Sequence, residues 1–288
     1  MATDLEEGGV DLTAMTSLMR HEVANPVAVI GNSSYFVKNR LAAKVPADEK
    51  AAALLGDMES AIREATANLK SIRPELGLKP AIAKAMELDS SLKTLEKSLA
   101  SLKTRVEARP PVDEKVAKHL NIIGLEVTRA YGILEAIDFY FKLKSLSPQP
   151  ADLDAFLEEL LSGHPFPDGV KVKKSLQSKA KASMEKPLLA RALKGLLENC
   201  CEAMASAGTV TVSSKTEKGQ VVIEIQDSGP GFSPEALAKA FTPFFTTRER
   251  KLGMGLAITR KIVTLHKGKA LAVKSAGGAL VRISLPAA

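Results

Sequence analysis

Residues 221–232 read VVIEIQDSGPGF, an alternating apolar pattern that ends at an acidic residue and enters a glycine-rich turn. Apolar side chains at every second position predict a strand with one buried face. Asp227 stands at the end of this strand, where its carboxylate can accept a hydrogen bond from an exocyclic amine. Gly229 and Gly231 would let the backbone approach a flat ring. By itself, this stretch is also compatible with an ordinary Asp-x-Gly turn.

The segments around this strand predict an α+β fold for residues 151–288. A short helix over Leu153–Leu161 and an alternating segment over 170–173 precede a long helical pattern over Met184–Met204. Two β-rich runs come next, followed by glycine-rich loops around a helix near residues 256–266 and two final strand-like runs. That order predicts a sandwich with helices on one face of a mixed sheet.

Residues 1–150 follow a different pattern, in which apolar residues recur at steps of three and four. Four such stretches predict four antiparallel helices within one chain. Proline-containing breakers separate them, namely Val45-Pro46, Arg73–Pro80 and Pro110-Pro111. We therefore expect a helical bundle in front of the α+β domain.

The first of these helices contains MRHEVANP at residues 19–26. Pro26 lacks a backbone donor and clashes with the carbonyl of Glu22, so we expect the helix to bend one turn after His21. Asn25 lies one turn along on the same side. A carboxylate beside a histidine can orient the imidazole and take its proton while the other ring nitrogen attacks a phosphorus atom.

Two further motifs lie in the second half. The long helix carries LLENCCEA at residues 196–203, and the carboxamide oxygen of Asn199 suits Mg²⁺, which takes few protein ligands. FTPFFTT at residues 241–247 precedes a basic stretch, after which Gly253 and Gly255 stand at a helix N-terminus, where N–H groups and the helix dipole favour phosphate. Each motif alone is a weak signal, but their order and spacing are informative.

Composition and charge limit the partners and the location that we expect for the protein. The net charge is +7, but the lysines are spread along helical faces and tryptophan is absent, which favours solvated faces over a nucleic-acid surface. No apolar run is long enough to cross a bilayer, and the acidic start lacks a signal-peptide pattern. Cys200 and Cys201 are expected to be buried free thiols. We expect a cytoplasmic protein that binds neither nucleic acid nor membrane.

Taken in order, the motifs resemble those of the histidine kinase family over nearly the whole chain. The matching segments are residues 21–26 for the H-box, the helix with Asn199 for the N-box, 227–231 and 253–255 for the two glycine boxes, and 241–245 for the phenylalanine box. The FTPFFTT run is most similar to the nitrogen-regulation-like subgroup. The resemblance implies a phosphoacceptor bundle followed by an ATP-binding sandwich of the Bergerat, or GHKL, type.

The resemblance also implies a reaction for the helical domain. His21 would attack the γ-phosphate of ATP with Glu22 as the base, and the phosphoryl group would pass to an aspartate of a response-regulator receiver domain. Asn25 would orient water when the protein dephosphorylates its partner. With few residues ahead of the first helix, the signal is expected to arrive through a separate sensor protein.

For the second domain, the resemblance implies a bound Mg-ATP. Asp227 would bind the adenine amine, Asn199 would hold Mg²⁺, and Gly253 and Gly255 would shape a lid over the phosphates, which Arg248 and Lys251 could also contact. Two departures bear on activity: Gly195 replaces a second N-box asparagine, and Lys251-Leu252 precede Gly253 in the lid. They motivate an alternative, a kinase-deficient module that acts as a response-regulator phosphatase or scaffold.

Four helices in one chain leave the bundle open to two interpretations, because family members ordinarily supply one hairpin each and two chains form the bundle. Residues 80–146 could complete the bundle within one chain, giving a pseudo-dimeric monomer. Alternatively, residues 112–146 form the partner helix and 46–110 are an inserted hairpin in an ordinary homodimer. The sequence favours the homodimer over the monomer.

Overall fold

The computed structural model describes residues 6–7, 10–44, 48–73, 75, 77–248 and 251–288. The chain divides into two compact units, Met1–Lys142 and Leu143–Ala288. The sequence placed this boundary after Pro150, whereas Gln149–Asp152 is a strand of the second unit that pairs with Lys181–Met184. Within the described residues, no helix is long and apolar enough to cross a membrane.

The first unit is helical, as predicted, apart from a ladder of two short strands. Its elements are β1 (Glu6–Glu7), β2 (Val10–Asp11), α1 (Leu12–Lys44), α2 (Glu49–Ser71), α3 (Leu78–Met86), α4 (Leu88–Glu107) and α5 (Glu114–Lys142). The short helix α3 was not predicted. Pro80 lies in its first turn, where a missing N–H breaks no helical hydrogen bond, so this part of the expected breaker begins a helix. Pro46 and Pro74 lie outside the described residues.

The four long helices form a closed ring, in which α1 and α4 each pack against both α2 and α5. The helical seam read from the sequence is the buried stripe of each helix. On α1, Met19, Val23 and Ile30 are 0% exposed, and on α4 the same is true of Leu92 and Leu95. Burial of each such side chain stabilises the fold by about 1.5–3 kcal/mol, so the stripes hold the ring together.

Asp48 fastens one end of the bundle. Its side chain accepts a hydrogen bond from the backbone N–H of Ala51 at 3.1 Å and so caps α2. The same carboxylate pairs with Arg105 and Arg109 near the end of α4, each at 2.7 Å. These three residues line a cavity of about 740 Å³. The hydrogen bond from Arg105, followed by the other contacts, lowers the pKa of Asp48 to about 2.

This low pKa predicts that the bundle loses stability in acid. The ionised carboxylate favours the folded state, so its contribution is complete above the unfolded pKa of about 4 and is lost as the pH falls toward 2. In Asp48→Asn the helix cap remains but the charge is gone, and we expect a lower free energy of unfolding at neutral pH with a shallower fall in acid. Urea unfolding from neutral to acidic pH measures both, and parallel curves for the two proteins would contradict the prediction.

The second unit is the predicted α+β sandwich. Its elements are β3 (Gln149–Asp152), α6 (Leu153–Ser162), β4 (Gly169–Gln177), β5 (Lys181–Met184), α7 (Lys186–Ala203), β6 (Ala207–Glu217), β7 (Gln220–Asp227), α8 (Pro234–Lys239), α9 (Gly255–Leu265), β8 (Lys269–Val273) and β9 (Leu280–Pro286). Five strands form a sheet of order β4-β6-β7-β9-β8, and β3 pairs with β5 separately. The β4–β6 pair is parallel and the other pairs of the large sheet are antiparallel, so the sheet is mixed.

Helices α7 and α9 pack against each other and against this sheet. Alternate residues of β7 supply the core, since Val221 and Ile223 are 0% exposed and Ile225 is 2% exposed. Leu193 and Leu197 on α7 are also fully buried in this core. The alternation brings the last residue of β7, Asp227, to the helix-covered face at the end of the strand.

Candidate active site

His21 lies on α1 with its side chain 71% exposed, while its neighbours Met19 and Val23 face the bundle core. Its Nδ1 atom is 3.8 Å from Glu22 Oε1 and 3.5 Å from Asn25 Nδ2. Both predicted partners therefore lie on the Nδ1 side of the ring. With the proton on Nδ1, Glu22 is the partner that can accept it, and Nε2 is available to attack an electrophile. The Asn25 amide N–H₂ only donates, so its 3.5 Å contact is then not a hydrogen bond.

Arg129 on α5 lies close to Glu22, the carboxylate beside His21 on α1. Its guanidinium lies 4.0 Å from Glu22 Oε2 and 3.6 Å from Glu126 Oε2, and its side chain is 25% exposed. The contact can hold Glu22 in place beside His21. Sequence reasoning did not connect Arg129 with Glu22, because the two residues are far apart in the chain and only the packing of α5 on α1 brings them together.

Asp227 is 3% exposed at the end of β7. Its Oδ1 atom accepts hydrogen bonds from the backbone N–H of Gly229 at 2.8 Å and of Ala279 at 3.0 Å. The predicted glycine box is thus closed by a second segment, which enters β9. A Cβ atom on Gly278 would lie 1.9 Å from the carbonyl oxygen of Asp227, and its φ is +120°, so only glycine fits there. The Gly277-Gly278 pair was the available sequence signal for this segment.

Cys200 and Cys201 on α7 are buried free thiols, as predicted. Burial, and then the charge of the nearby Asp227 carboxylate, raises the pKa of the Cys200 thiol far above its ordinary range. A thiol held in its protonated form is a poor nucleophile and metal ligand. Cys200 therefore serves as part of the wall around Asp227.

Asn199 is brought together with the lid residues. A Cβ atom on Gly255, the first residue of α9, would lie 3.6 Å from Asn199 Nδ2. The guanidinium of Arg248 donates to the backbone carbonyl of Asn199 at 3.1 Å and pairs with Glu202 at 3.0 Å. Lys251 pairs with the other Glu202 oxygen at 2.5 Å. The two cations predicted for phosphates thus meet on Glu202, a residue that sequence reasoning missed.

Gly253 is constrained by the aromatic run upstream. Its φ is +72°, and a Cβ atom there would lie 2.5 Å from the backbone oxygen of Phe245. Phe244 in that run also has a positive φ, of 64°. The phenylalanine box therefore packs its backbone against the second glycine box. At the other end of α9, buried His266 accepts from the Glu185 N–H through Nε2, so its Nδ1 donates to the Ile262 carbonyl and the residue is structural.

Alanine substitutions are expected to destabilise the protein at Gly253 but not at Gly255. Gly253→Ala imposes a left-handed residue, costing about 1–2 kcal/mol, and adds a clash with backbone. Gly255→Ala meets an ordinary contact, and we expect its free energy of unfolding to change by no more than about 0.5 kcal/mol. Chemical denaturation monitored in the second unit measures the free energy of unfolding of both variants. Equal free energies of unfolding for the two variants would contradict the prediction.

Magnesium fits this site only with help from a ligand. Among the side chains that the structure describes, no cluster of three His, Cys, Asp or Glu residues could hold a metal ion. Asn199 offers a single amide oxygen beside the start of α9. Since Mg²⁺ is usually held by one or two protein groups together with substrate phosphates and water, a lone Asn ligand is compatible with Mg²⁺ bound to a nucleotide.

Residues 184–288 match the family described as histidine kinase-, DNA gyrase B- and HSP90-like ATPase. This ATPase family match spans the N-box helix, both glycine boxes and the lid. It confirms the GHKL type of the second unit that the motifs implied.

Relatives support the histidine kinase family within this ATPase group. The sensor histidine kinase ZraS from Salmonella typhi is 41% identical over 102 residues, covering 34% of this chain and 22% of ZraS. The chain thus spans about a fifth of the length of this relative. The nitrogen-regulation-like subgroup is not distinguished by these relatives and stays a prediction.

Two solved structures share the fold. Histidine kinase ThkA in complex with the response regulator protein TrrA has a TM-score of 0.52 at 21% identity, covering 70% of this chain and 60% of that chain. Full-length ShkA in complex with AMPPNP has a TM-score of 0.50 at 18% identity, covering 68% and 46%. Both likenesses show the fold alone, a helical region followed by an α+β sandwich.

Proposed function

We propose that this chain is an ATP-dependent protein histidine kinase that phosphorylates His21 and passes the phosphoryl group to an aspartate of a response-regulator receiver domain. The observation that carries the proposal is the exposed imidazole of His21, with Nδ1 facing Glu22, in a chain whose second unit matches the ATPase family. The complexes of ThkA with a response regulator and of ShkA with an ATP analogue support the partner and the nucleotide.

In the proposed reaction, His21 Nε2 forms a bond to the γ-phosphorus of ATP, and the bond from that phosphorus to the β,γ-bridging oxygen breaks. ADP leaves with the electron pair. The Nδ1 proton of the resulting imidazolium passes to Glu22, whose Oε2 atom lies 4.0 Å from the Arg129 guanidinium. A positioned base typically contributes about 10²–10⁴-fold to such a step. Nucleophile and base are both supplied by α1, and the residue that positions the base by α5.

For the nucleotide, we propose that the Asp227 carboxylate accepts from the adenine amine and that Gly229 and Gly231 allow the ring to approach. Asn199 would hold Mg²⁺, which when bound neutralises phosphate charge. Arg248 and Lys251 would move from Glu202 to the phosphates, since an oxyanion of higher charge competes for both cations. The N–H groups at Gly253 and Gly255 would complete the phosphate site at the start of α9.

We further propose that the protein is cytoplasmic and that it belongs to the nitrogen-regulation-like subgroup. The FTPFFTT run at residues 241–247 supports the subgroup. A separate sensor protein would supply the signal. Asn25, 3.5 Å from His21 Nδ1, would orient water when the protein dephosphorylates its receiver partner. This contact is also the observation that favours the alternative, a response-regulator phosphatase without kinase activity.

The test is incubation of the purified chain with γ-labelled ATP and Mg²⁺. We expect label on the protein that is labile in acid and stable in alkali, as a phosphoramidate is, and that moves to a receiver domain added afterwards. Protein that stays unlabelled would overturn the kinase proposal. If such protein removed phosphate from a phosphorylated receiver domain, the phosphatase alternative would take its place.

A further inference from the structure

The helical bundle around His21 is completed by one chain. Helix α1 packs against α2 and α5, and α4 packs against the same two helices on the opposite side of the ring. The hairpin of α2 and α4 therefore does not project as a separate coiled coil. It occupies the position opposite α1 and α5 that a second chain would occupy in a two-chain bundle.

Each long helix already buries its apolar stripe in this ring. Met58 of α2, Leu95 of α4 and Ile123 of α5 are each 0% exposed, as are Met19 and Ile30 of α1. A bundle assembled from two chains would require the apolar stripe of each hairpin to be open in the single chain. No long helix of the described first unit leaves an apolar stripe exposed for a second copy. The apolar surface that would drive pairing through the bundle core is already buried within the molecule.

The exposed apolar residues of the bundle favour a transient partner over a second copy. Large exposed hydrophobic side chains among the described residues of this unit are Leu18, Val29, Tyr35 and Leu125. Leu18 and Val29 are eleven residues apart and so lie on one face of α1, the face that also carries His21. A second copy seated on that face would cover the phosphoacceptor. This face therefore suits a transient reaction partner better than a permanent subunit.

The ring also contains a single candidate acceptor. Helices α2, α3 and α4 have no histidine, and the other histidine of the unit, His119 on α5, stacks on Phe36 with ring centroids 4.0 Å apart. The half of the bundle that replaces a second chain thus supplies packing without an H-box. One bundle would carry one phosphoryl group and would be served by one ATP-binding unit.

We propose that this kinase acts as a single molecule, in which the ATP-binding unit of a chain phosphorylates His21 of that same chain. The inference rests on the proposed kinase function and departs from the homodimer that the sequence favoured. Residues 143–148 connect the end of α5 to β3, so donor and acceptor units are held in one molecule by a short segment. Such tethering keeps donor and acceptor units together at any dilution, whereas transfer between molecules depends on the concentration of a second chain.

The experiment combines two inactive variants. Asp227→Asn lacks the proposed adenine contact but keeps His21, and His21→Gln keeps the ATP site but lacks the acceptor. Carrying different tags, they are co-expressed so that mixed assemblies can form, and then incubated with γ-labelled ATP. Transfer within one molecule predicts no label on the Asp227→Asn chain above that variant's own background. Recovery of label on it would show transfer between chains and overturn the inference. Asn199→Asp is a second ATP-site variant, in case the first does not fold.

Two measurements on wild type complete the test. Light scattering is expected to give the mass of one chain, 30.6 kDa, across micromolar concentrations, and a mass of two chains overturns the inference. The labelling rate per molecule is expected to be independent of protein concentration, and a rate that rises with concentration also overturns it. Wild type that takes up no label at all is a different outcome, which removes the proposed function itself.

Discussion

His21→Gln is expected to reduce acid-labile labelling to background, a loss of at least about a thousandfold. Glutamine keeps a polar side chain of similar length, but its amide nitrogen has no basic lone pair and cannot attack a phosphorus atom. The side chain of His21 is 71% exposed, so the substitution should leave the bundle intact. The measurement is label per chain after incubation with γ-labelled ATP and Mg²⁺.

His119→Gln is the matched control for this prediction. His119 lies in the same bundle, and its ring stacks on Phe36 at 4.0 Å, so its loss affects packing but removes no proposed nucleophile. We expect His119→Gln to label like the wild type. Equal labelling of His21→Gln and wild type would show that the phosphoryl group is carried elsewhere.

Asp227→Asn is expected to weaken ATP binding by about a hundredfold. A hydrogen bond to a charged group contributes about 1.5–3 kcal/mol, and each 1.4 kcal/mol is a factor of ten in affinity. Asparagine can still accept the two backbone N–H groups of Gly229 and Ala279 through its amide oxygen. Its amide N–H₂, however, would face the adenine amine as a second donor, so the proposed contact with adenine would be lost while the loop persists.

Isothermal titration with ATP measures this loss, and a thermal melt checks that the variant is folded. Asp168→Asn is the control, because Asp168 is an exposed residue of the same unit and its substitution removes the same charge. We expect the control to bind ATP with wild-type affinity. Unchanged affinity in Asp227→Asn would place adenine away from the glycine box and would require a different nucleotide site.

The sequence predicted the four long helices and the mixed sheet because their apolar patterns extend over many residues and repeat the helix or strand period. It missed β3 and β5, which have only four residues each and acquire their strand character from pairing with one another. It also missed the short helices α3 and α8. In α3 the reason is Pro80, which resembles a breaker but occupies the first turn.

For the site, sequence reasoning located residues whose chemistry is visible locally, such as His21 beside Glu22, or Asp227 at a strand end. It did not find Arg129 beside Glu22 or Glu202 between Arg248 and Lys251. These ion pairs join residues far apart in the chain, at positions where a charged side chain is ordinarily just a solvated surface residue. Only the packing of α5 on α1, and of the lid on α7, distinguishes them from the many other exposed charges.

The sequence by itself determined the order of motifs, and with it the GHKL type of the second unit, because each motif depends on residue types within one turn or one strand end. Only the tertiary structure decided that one chain closes the bundle around His21. The apolar stripes of α2 and α4 predict burial without naming the surface that buries them, and both a second copy and the chain's own α1 and α5 satisfy that pattern. The contacts of α2 and α4 with α1 and α5 settle which surface it is within the chain.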